Sequence, residues 1–334
     1  MSTVDAFVVV HNHARTLRST LTSLAAQTAR PGRIVVVDNA STDGSAGVAQ
    51  DLARTLPLEL HRLHDNRGFA AAANDAIRRT RAEWVVALNP DCRLAPDYLS
   101  QLLTASLQRD RVGAATGLLL RGGGDSLLPT ERVDSTGMVF TPSGRHLDRG
   151  AGRPMRSRFA RPAWVFGASG AAALYRREAL EDVAYPAGEV FDESFFAYRE
   201  DADLAWRLQR RAWHCLYWPA ARAWHGRGLK PEHGRRSTPE INRHSVRNRF
   251  LLRWSNADWR WLVSCFPWWL LRDLLVTLGC LTFERASLPG LSEAWALRRQ
   301  QRARGRANAS RALVSGWRVA SWFLPGGRVR RVKV

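Results

Sequence analysis

The chain has 334 residues, 45% of them hydrophobic, which is enough for one large α/β domain with an appendage or for two domains. Its net charge of +20, carried almost wholly by arginine, calls for a polyanionic neighbour: nucleic acid, an anionic membrane face or a phosphate-bearing substrate. Four scattered cysteines (Cys92, Cys215, Cys265, Cys280) exclude a cysteine-paired zinc site and a disulfide scaffold and predict a reducing compartment, and an N-terminus that runs past Asp5 straight into a strand lacks a secretion signature.

Taken in order, Ala6 to Val10 predicts a short buried strand, followed by a helix with Leu17, Leu21 and Leu24 on one face. A second strand, 33–37, ends in D-N-A-S-T-D-G at 38–44. Residues 58–63, 84–88 and 112–120 read as three more strands, and the first two again end in polar loops, H-D-N-R-G-F at 64–69 and N-P-D at 89–91. The alternation predicts a mostly parallel sheet flanked by helices. Ligands of such sheets collect beyond the carboxyl ends of the strands, so three polar loops there outline one pocket. Each loop also fits a purely local role. Asp38, Asn39, Ser41 and Asp43 could form an Asx turn and a helix cap, Asn66, Gly68 and Asn74 a turn and cap, and Pro90 a strand stop. Their order along repeated strand-loop-helix units favours the pocket.

Residues 121–161, rich in Gly, Pro and Arg, read as a mobile loop over that pocket. Residues 164–175 read as a strand and turn in which Gly167 and Gly170 allow close backbone approach. The stretch F-D-E-S-F-F-A-Y-R-E-D-A-D-L at 191–204 sets five carboxylates among aromatic residues, and burying charge without a reason is expensive. A helix starts near Arg199, with Leu204 and Leu208 four apart. Glu200 and Asp201 then fall in its first turn, where the dipole and free N–H groups favour an ionised carboxylate, the state a general base needs. Asp203 and Arg207 read as an i, i+4 surface pair.

After Trp224-His225 comes a basic stretch with S-V-R-N-R at 245–249 on a predicted helix. From Trp259 two apolar runs of about ten residues are separated by Arg272 and Asp273, each too short for a bilayer span of about 20 residues. The chain beyond Glu293 holds no acid, while Arg298, Arg299, Arg302, Arg304, Arg306, Arg328, Arg330, Arg331 and Lys333 alternate with Trp295, Trp317 and Trp322. Tryptophan beside arginine suits a headgroup layer, so peripheral docking on an anionic cytoplasmic membrane face is expected. The alternative for these helices is packing on the rest of the chain or on a second subunit of a homo-oligomer.

V-V-V-H-N at 8–12, V-V-D-N-A-S-T-D-G-S at 36–45, N-R-G-F-A-A-A-A-N at 66–74, L-N-P-D at 88–91, the 191–204 stretch and Trp224-His225 together resemble the inverting family-two glycosyltransferases, in particular the bacterial rhamnosyltransferase-like branch that builds surface polysaccharides. The resemblance covers about residues 4–250 and departs at His11, where relatives usually carry tyrosine. It implies a GT-A fold over 1–250, with a nucleotide-binding half (1–120) and an acceptor-side half (121–250), followed by a helical, basic, membrane-associating region (251–334). It implies that Asp38 bonds a pyrimidine base over a floor made by His11 and Asn12, and that Asn66, Arg67 and Gly68 continue the nucleotide site. Asp91 would help hold Mg²⁺ or Mn²⁺ on the donor diphosphate, with Asn89 in place of the first acid of the D-x-D motif and His225 reaching the metal or diphosphate. D-S-T-G at 134–137 would lie near the donor, Gly167 and Gly170 on the acceptor side, and Arg247 near diphosphate.

The expected reaction is transfer of a sugar, rhamnose by resemblance, from a dTDP- or UDP-linked donor to a glycan or lipid-linked acceptor, with Asp201 as base and Glu200 as second candidate. A nucleotidyltransferase would share the pocket but release pyrophosphate. A nucleic-acid binder would explain the charge, but the acid-free run is terminal rather than spread over one face of the main domain, so no nucleic-acid partner is expected.

Overall fold

Seven consecutive buried residues form β1 (Val4–Val10), a strand covered on both faces and therefore almost uniformly apolar. The computed structural model describes residues 3–226, 238–325 and 329–332. From β1 the chain winds through α1 (Ala14–Ala25), β2 (Ile34–Asp38), α2 (Ser45–Leu52), β3 (Leu58–Arg62), α3 (Gly68–Arg79) and β4 (Trp84–Leu88). These strands pair in parallel in the order β3-β2-β1-β4. Val4, Ala6, Val8 and Val10 pack with Leu17, Leu21 and Leu24 of α1 on one face, whereas Phe7 and Val9 meet Ala70, Ala72, Ala73 and Ala76 of α3 on the other. The small side chains of α3 let it lie close to the sheet.

Beyond β4 the sheet becomes mixed. The chain continues as β5 (Cys92–Leu94), α4 (Tyr98–Leu107), β6 (Val112–Gly123), β7 (Leu128–Ser135), β8 (Met138–Phe140), β9 (His146–Asp148), β10 (Ala163–Val165), β11 (Ala172–Arg176), α5 (Arg177–Val183), α6 (Glu200–Arg210) and β12 (His214–His225). β11 inserts antiparallel between β4 and β6, and β12 runs parallel to β6. Residues 121–161 are therefore not a structureless loop. They hold the hairpins β6–β7 and β8–β9 and bury Val133, Met138, Phe140 and Phe159. The glycines that suggested a loop are spent on turns: Gly124, Gly137, Gly144 and Gly150 all have positive φ.

The C-terminal part comprises α7 (Pro239–Asn256), α8 (Trp259–Ser264), α9 (Trp268–Thr282), α10 (Leu288–Ser310), α11 (Gly316–Ala320) and a short β13 (Arg330–Arg331) that pairs with β10. α10 lies along α7 so closely that a Cβ on Gly305 would sit 2.3 Å from the Trp254 carbonyl. A cluster of Phe140, Phe166, Phe195, Trp206, Trp261 and Phe323 joins these helices to the sheet domain. α9, by contrast, leaves Leu271, Leu274, Leu275, Leu278 and Leu281 exposed. Among the described residues no helix is long and apolar enough to cross a membrane. Arg328 and Lys333 lie outside the described residues.

Candidate active site

The loops after β1, β2 and β3 interlock through side chain to backbone bonds. Asn39, buried, is their hub: its N–H donates to the Val10 carbonyl, its Nδ2 to Asn66 Oδ1 (2.8 Å), and its Oδ1 accepts from the Arg67 N–H (2.9 Å). The His11 Nδ1 lies 2.9 Å from the Asn39 carbonyl, while its Nε2 faces the amide nitrogens of Asn66 and Asn12 at 3.3 and 3.4 Å. That network assigns the proton to Nδ1 and leaves Nε2 an acceptor, so a histidine fits where a phenol is usual. Asn12, in left-handed backbone, accepts from Thr42 N–H (2.8 Å) and gives its own N–H to Ser41 Oγ (3.0 Å). Asp38 ends β2 with Oδ1 under the Ser41 N–H (3.2 Å) and Oδ2 3.7 Å from Arg62 Nε. Its side chain is nearly closed off, and the exposed Arg62 is the group a base would displace to reach it.

A second group forms where β5, β12, β6 and β7 meet. Antiparallel pairing sets His225 opposite Cys92, beside Asp91, and β7 follows β6 on the far side. The His225 Nε2 lies 3.2 Å from Asp91 Oδ1 and its Nδ1 2.9 Å from Asp134 Oδ2. Burial alone would lower the His225 pKa, but the charge of Asp91 and the hydrogen bonds to Asp134 and Asp91 win and push it up to about 10. For Asp91 burial again opposes the shift, and the charge of His225 with its hydrogen bond holds the carboxyl below its ordinary range. Thr16 and Thr20 of α1 both donate to the Pro90 carbonyl at 2.9 Å and so fix the N-P-D turn. Among the described residues no cluster of three or more His, Cys, Asp or Glu side chains could hold a metal by itself. Asp91 fits the protein's share of a hard cation's shell, whose remaining places go to phosphate oxygens and water, and His225 could join it only by giving up the Nε2 proton it now shares with Asp91, the cation taking that proton's place. A histidine whose other ring nitrogen is held by a carboxylate, as Asp134 holds Nδ1, is the usual setting of a metal ligand.

The third group is the first turn of α6, where Glu200 and Asp201 fall as the periodicity predicts. Asp201 Oδ2 accepts from the Gly170 N–H (3.1 Å) and Oδ1 from the Ala202 N–H (2.8 Å). Desolvation raises its pKa to about 6, the two backbone donors opposing the rise. Glu200 is more deeply buried, its Oε2 has no hydrogen-bond partner, and desolvation with the charge of Asp201 raises it to about 8. The two carboxyls titrate as one pair that burial and mutual repulsion keep from ionising together, and the two backbone donors favour the charge on Asp201. Asn89 links the second and third groups: its N–H donates to the Ala171 carbonyl (2.9 Å), one residue from the Gly170 that anchors Asp201. The turn that carries Asp91 and the turn that anchors Asp201 thereby meet at one junction, the carboxyl end of β4 and the start of β11.

Gly167 plays a packing part, since a Cβ there would lie 2.4 Å from the Ala205 Cβ of α6. Gly68 lets the Phe196 carbonyl approach α3, where it accepts from the Ala70 N–H (3.1 Å); a Cβ at residue 68 would stand 2.5 Å from that oxygen. Asn74 is a buried clamp rather than a cap: its Oδ1 accepts from Val190 and Phe191 N–H, and its Nδ2 donates to the Phe191 carbonyl (2.8 Å). Arg247 donates to the Phe195 carbonyl and Glu293, and Asn248 bonds the carbonyls of Phe195, Ala197 and Tyr198. The Asp203–Arg207 pair is not on the surface. It is almost wholly buried at 2.8 Å, with Asp203 also taking bonds from Ser255 and Asn256. Asp134 was visible in D-S-T-G, but nothing in the sequence showed that it pairs with a residue 91 positions away.

The sequence profile described as glycosyl transferase family 2 matches residues 5–184, more than half of the chain. The chain belongs to glycosyl transferase family 2. Within that family it is similar to the N-acetylglucosaminyl-diphospho-decaprenol L-rhamnosyltransferase of Mycobacterium tuberculosis, 29% identical over an alignment of 233 residues, with 61% of this chain and 70% of that one covered. It is also similar to the poly-beta-1,6-N-acetyl-D-glucosamine synthase of Staphylococcus epidermidis, 22% identical over 66% of this chain and 49% of the relative. Solved structures share the fold: S. aureus TarS residues 1–349 (TM-score 0.53, 17% identity, 96% of this chain and 90% of that one) and GalNAc-T7 with UDP, GalNAc and Mn²⁺ (TM-score 0.58, 15% identity, 76% of this chain and 48% of that one). The family-2 chain is a glycosyltransferase with a GT-A α/β fold. GT-A neighbours solved with Mn²⁺ point to a divalent cation in general.

Proposed function

We propose that this glycosyltransferase moves a sugar, rhamnose by likeness to the mycobacterial relative, from a pyrimidine nucleoside diphosphate to a lipid-linked glycan acceptor, inverting the anomeric carbon. The observation that carries this reading is the Asn89–Ala171 junction, with the Asp91–His225–Asp134 array on one side and the Gly170-anchored Asp201 on the other. His11, Asn12, Asp38, Asn66, Arg67 and Gly68 cradle the nucleoside. Asp91 and His225 would hold Mg²⁺ or Mn²⁺, which when bound neutralises charge developing on the departing diphosphate.

Asp201 removes the proton of the acceptor hydroxyl as it attacks the carbon from the face opposite the diphosphate. One displacement suffices, and no covalent enzyme intermediate is formed. Glu200, protonated beside it, keeps a second negative charge out of the cleft. The exposed apolar face of α9 and the arginine-rich terminal helices support docking of residues 251–334 on the inner membrane face, where a lipid-linked acceptor resides.

The test is a panel of nucleotide-sugars screened for protection against thermal unfolding with and without Mn²⁺ or Mg²⁺, followed by product analysis with a sugar-diphospho-lipid acceptor. Release of a nucleoside diphosphate with an inverted linkage is expected. Release of pyrophosphate, or protection by no nucleotide-sugar, would refute it.

A further inference from the structure

Arg199 ends the catalytic loop in left-handed backbone, as does Tyr198 before it, and its side chain is only 7% exposed. Left-handed backbone at non-glycine residues is strained and persists only where the surroundings impose it. Here it turns a guanidinium inward directly beside Glu200 and Asp201. Its Nη1 lies 3.5 Å from the Nδ1 of His146. Burial and the surrounding arginine charge hold that imidazole neutral, its pKa pushed down to about 3.

Around Arg199 stand Arg249, Arg145 and Arg272. The Nε and Nη1 of Arg249 are shielded from solvent and have no hydrogen-bond partner. Burial and this crowd of like charges depress both buried arginines, Arg199 to about 9 and Arg249 to about 10. Asp201 acts on Arg199 and Asp273 on Arg249, but Asp273 also pairs with Arg253, and the arginines outnumber these acids.

Guanidiniums gathered in excess of the acids beside them are costly, because each has lost water and repels the others, and at Arg249 two donor nitrogens are left over. An incoming polyanion removes that penalty, and the planar fork of arginine suits paired phosphate oxygens. Arg249 is rigidly set, since Arg247 and Asn248 before it are tied to the catalytic loop. α9 carries Arg272 toward this cluster and turns Leu271, Leu274, Leu275 and Leu278 outward. The cluster thus lies where a charged interior meets an apolar surface, as a lipid headgroup requires.

We propose that Arg199 and Arg249, flanked by Arg145 and Arg272, form the subsite for the diphosphate of a lipid-linked acceptor, with the lipid running out over the apolar face of α9. This inference rests on the function proposed above and adds to it the groups that recognise the acceptor. It is separate from the donor's diphosphate, which belongs with Asp91 and His225.

The test uses the full chain and direct binding. Farnesyl diphosphate, farnesol, UDP and dTDP are titrated into wild type, Arg249→Gln, Arg249→Lys and Arg145→Gln, the last an exposed position that leaves the core intact. Wild type is expected to bind farnesyl diphosphate well above farnesol. Arg249→Gln should weaken that binding about tenfold, Arg249→Lys and Arg145→Gln less, with nucleoside diphosphates kept within about twofold. Equal binding of farnesol and farnesyl diphosphate by wild type would overturn the subsite, as would Arg145→Gln and Arg249→Lys both leaving it unaltered. Equal weakening of UDP or dTDP by Arg249→Gln would assign the cluster to the donor and also overturn it. Sugar transfer is measured on the same preparations. Selective diphosphate-lipid binding without transfer to any acceptor would strike the proposed reaction and leave the subsite standing, whereas transfer without selective binding would strike the subsite alone.

Discussion

Two neighbouring carboxyls on one helical turn meet different surroundings: Asp201 receives two backbone N–H groups, and the more deeply buried Glu200 has an oxygen with no partner. Asp201→Asn should therefore lower kcat by about 10²–10⁴ with donor affinity unchanged, and Glu200→Gln, which copies a protonated acid, should cost far less. Because a base must be ionised and the Asp201 carboxyl is raised to about 6, kcat/KM for the acceptor should climb as pH rises through about 6 and fall away below it. A profile flat from pH 5 to 8 would remove Asp201 from the role. Asp134 orients the His225 ring, so Asp134→Asn should weaken Mn²⁺ binding about 10–100-fold in a direct titration without altering nucleoside affinity. At this scale the sequence singled out Asp91, Asp201 and His225 as candidates, because strand ends and a helix start are local features. It did not disclose Asp134 or Asn39 as partners, because which loops meet depends on pairing between distant strands.

The loop between α5 and α6, which leads into the proposed base, is held from several elements at once. α3 grips it through Asn74 and Gly68, α7 through Arg247 and Asn248, and α10 through Arg304 and Gln301, which bind the fully buried Asp192. Substitution of Gly68 by Ala would drive a methyl into the Phe196 carbonyl at a residue with φ of 80°, so a loss of acceptor turnover with fold retained is expected, checked by circular dichroism beside kinetics. Inside the same region Asp203→Ala would strand the buried Arg207 charge and should lower stability by about 3–5 kcal/mol in urea unfolding. The i, i+4 spacing of this pair was plain in the sequence. Its burial was not, because the helices that cover it come some 50 residues later. Alternation of apolar runs and helices likewise disclosed the parallel half of the sheet, whereas the short strands between 121 and 161 carry too few residues for their period to stand out against glycine and arginine.

Across the whole molecule, charge and apolar surface are segregated. The sheet domain exposes few large apolar side chains, such as Leu107 and Leu128, and most of the exposed ones concentrate on α8, α9 and their neighbours, with Phe283 84% exposed. Sedimentation with anionic vesicles should therefore carry the protein down at low salt, less so as ionic strength rises, and replacement of Leu271, Leu274 and Leu278 by Glu should abolish it. Neutral vesicles binding equally well would refute the electrostatic part. The apolar run lengths and the acid-free tail made this surface readable in advance; the inward-facing duties of the same helices were not, since Arg304 and Gln301 look in sequence like any solvated arginine-rich face. Those duties make a boundary at residue 250 deceptive. Cut there, the polypeptide would retain every recognisable signature of its family, yet the buried Asp192 would lose Arg304 and Gln301, two of the side chains that hold the loop before the proposed base. Possession of the motifs and competence to use them are separate properties of this enzyme, and the second is written in its last eighty residues or so.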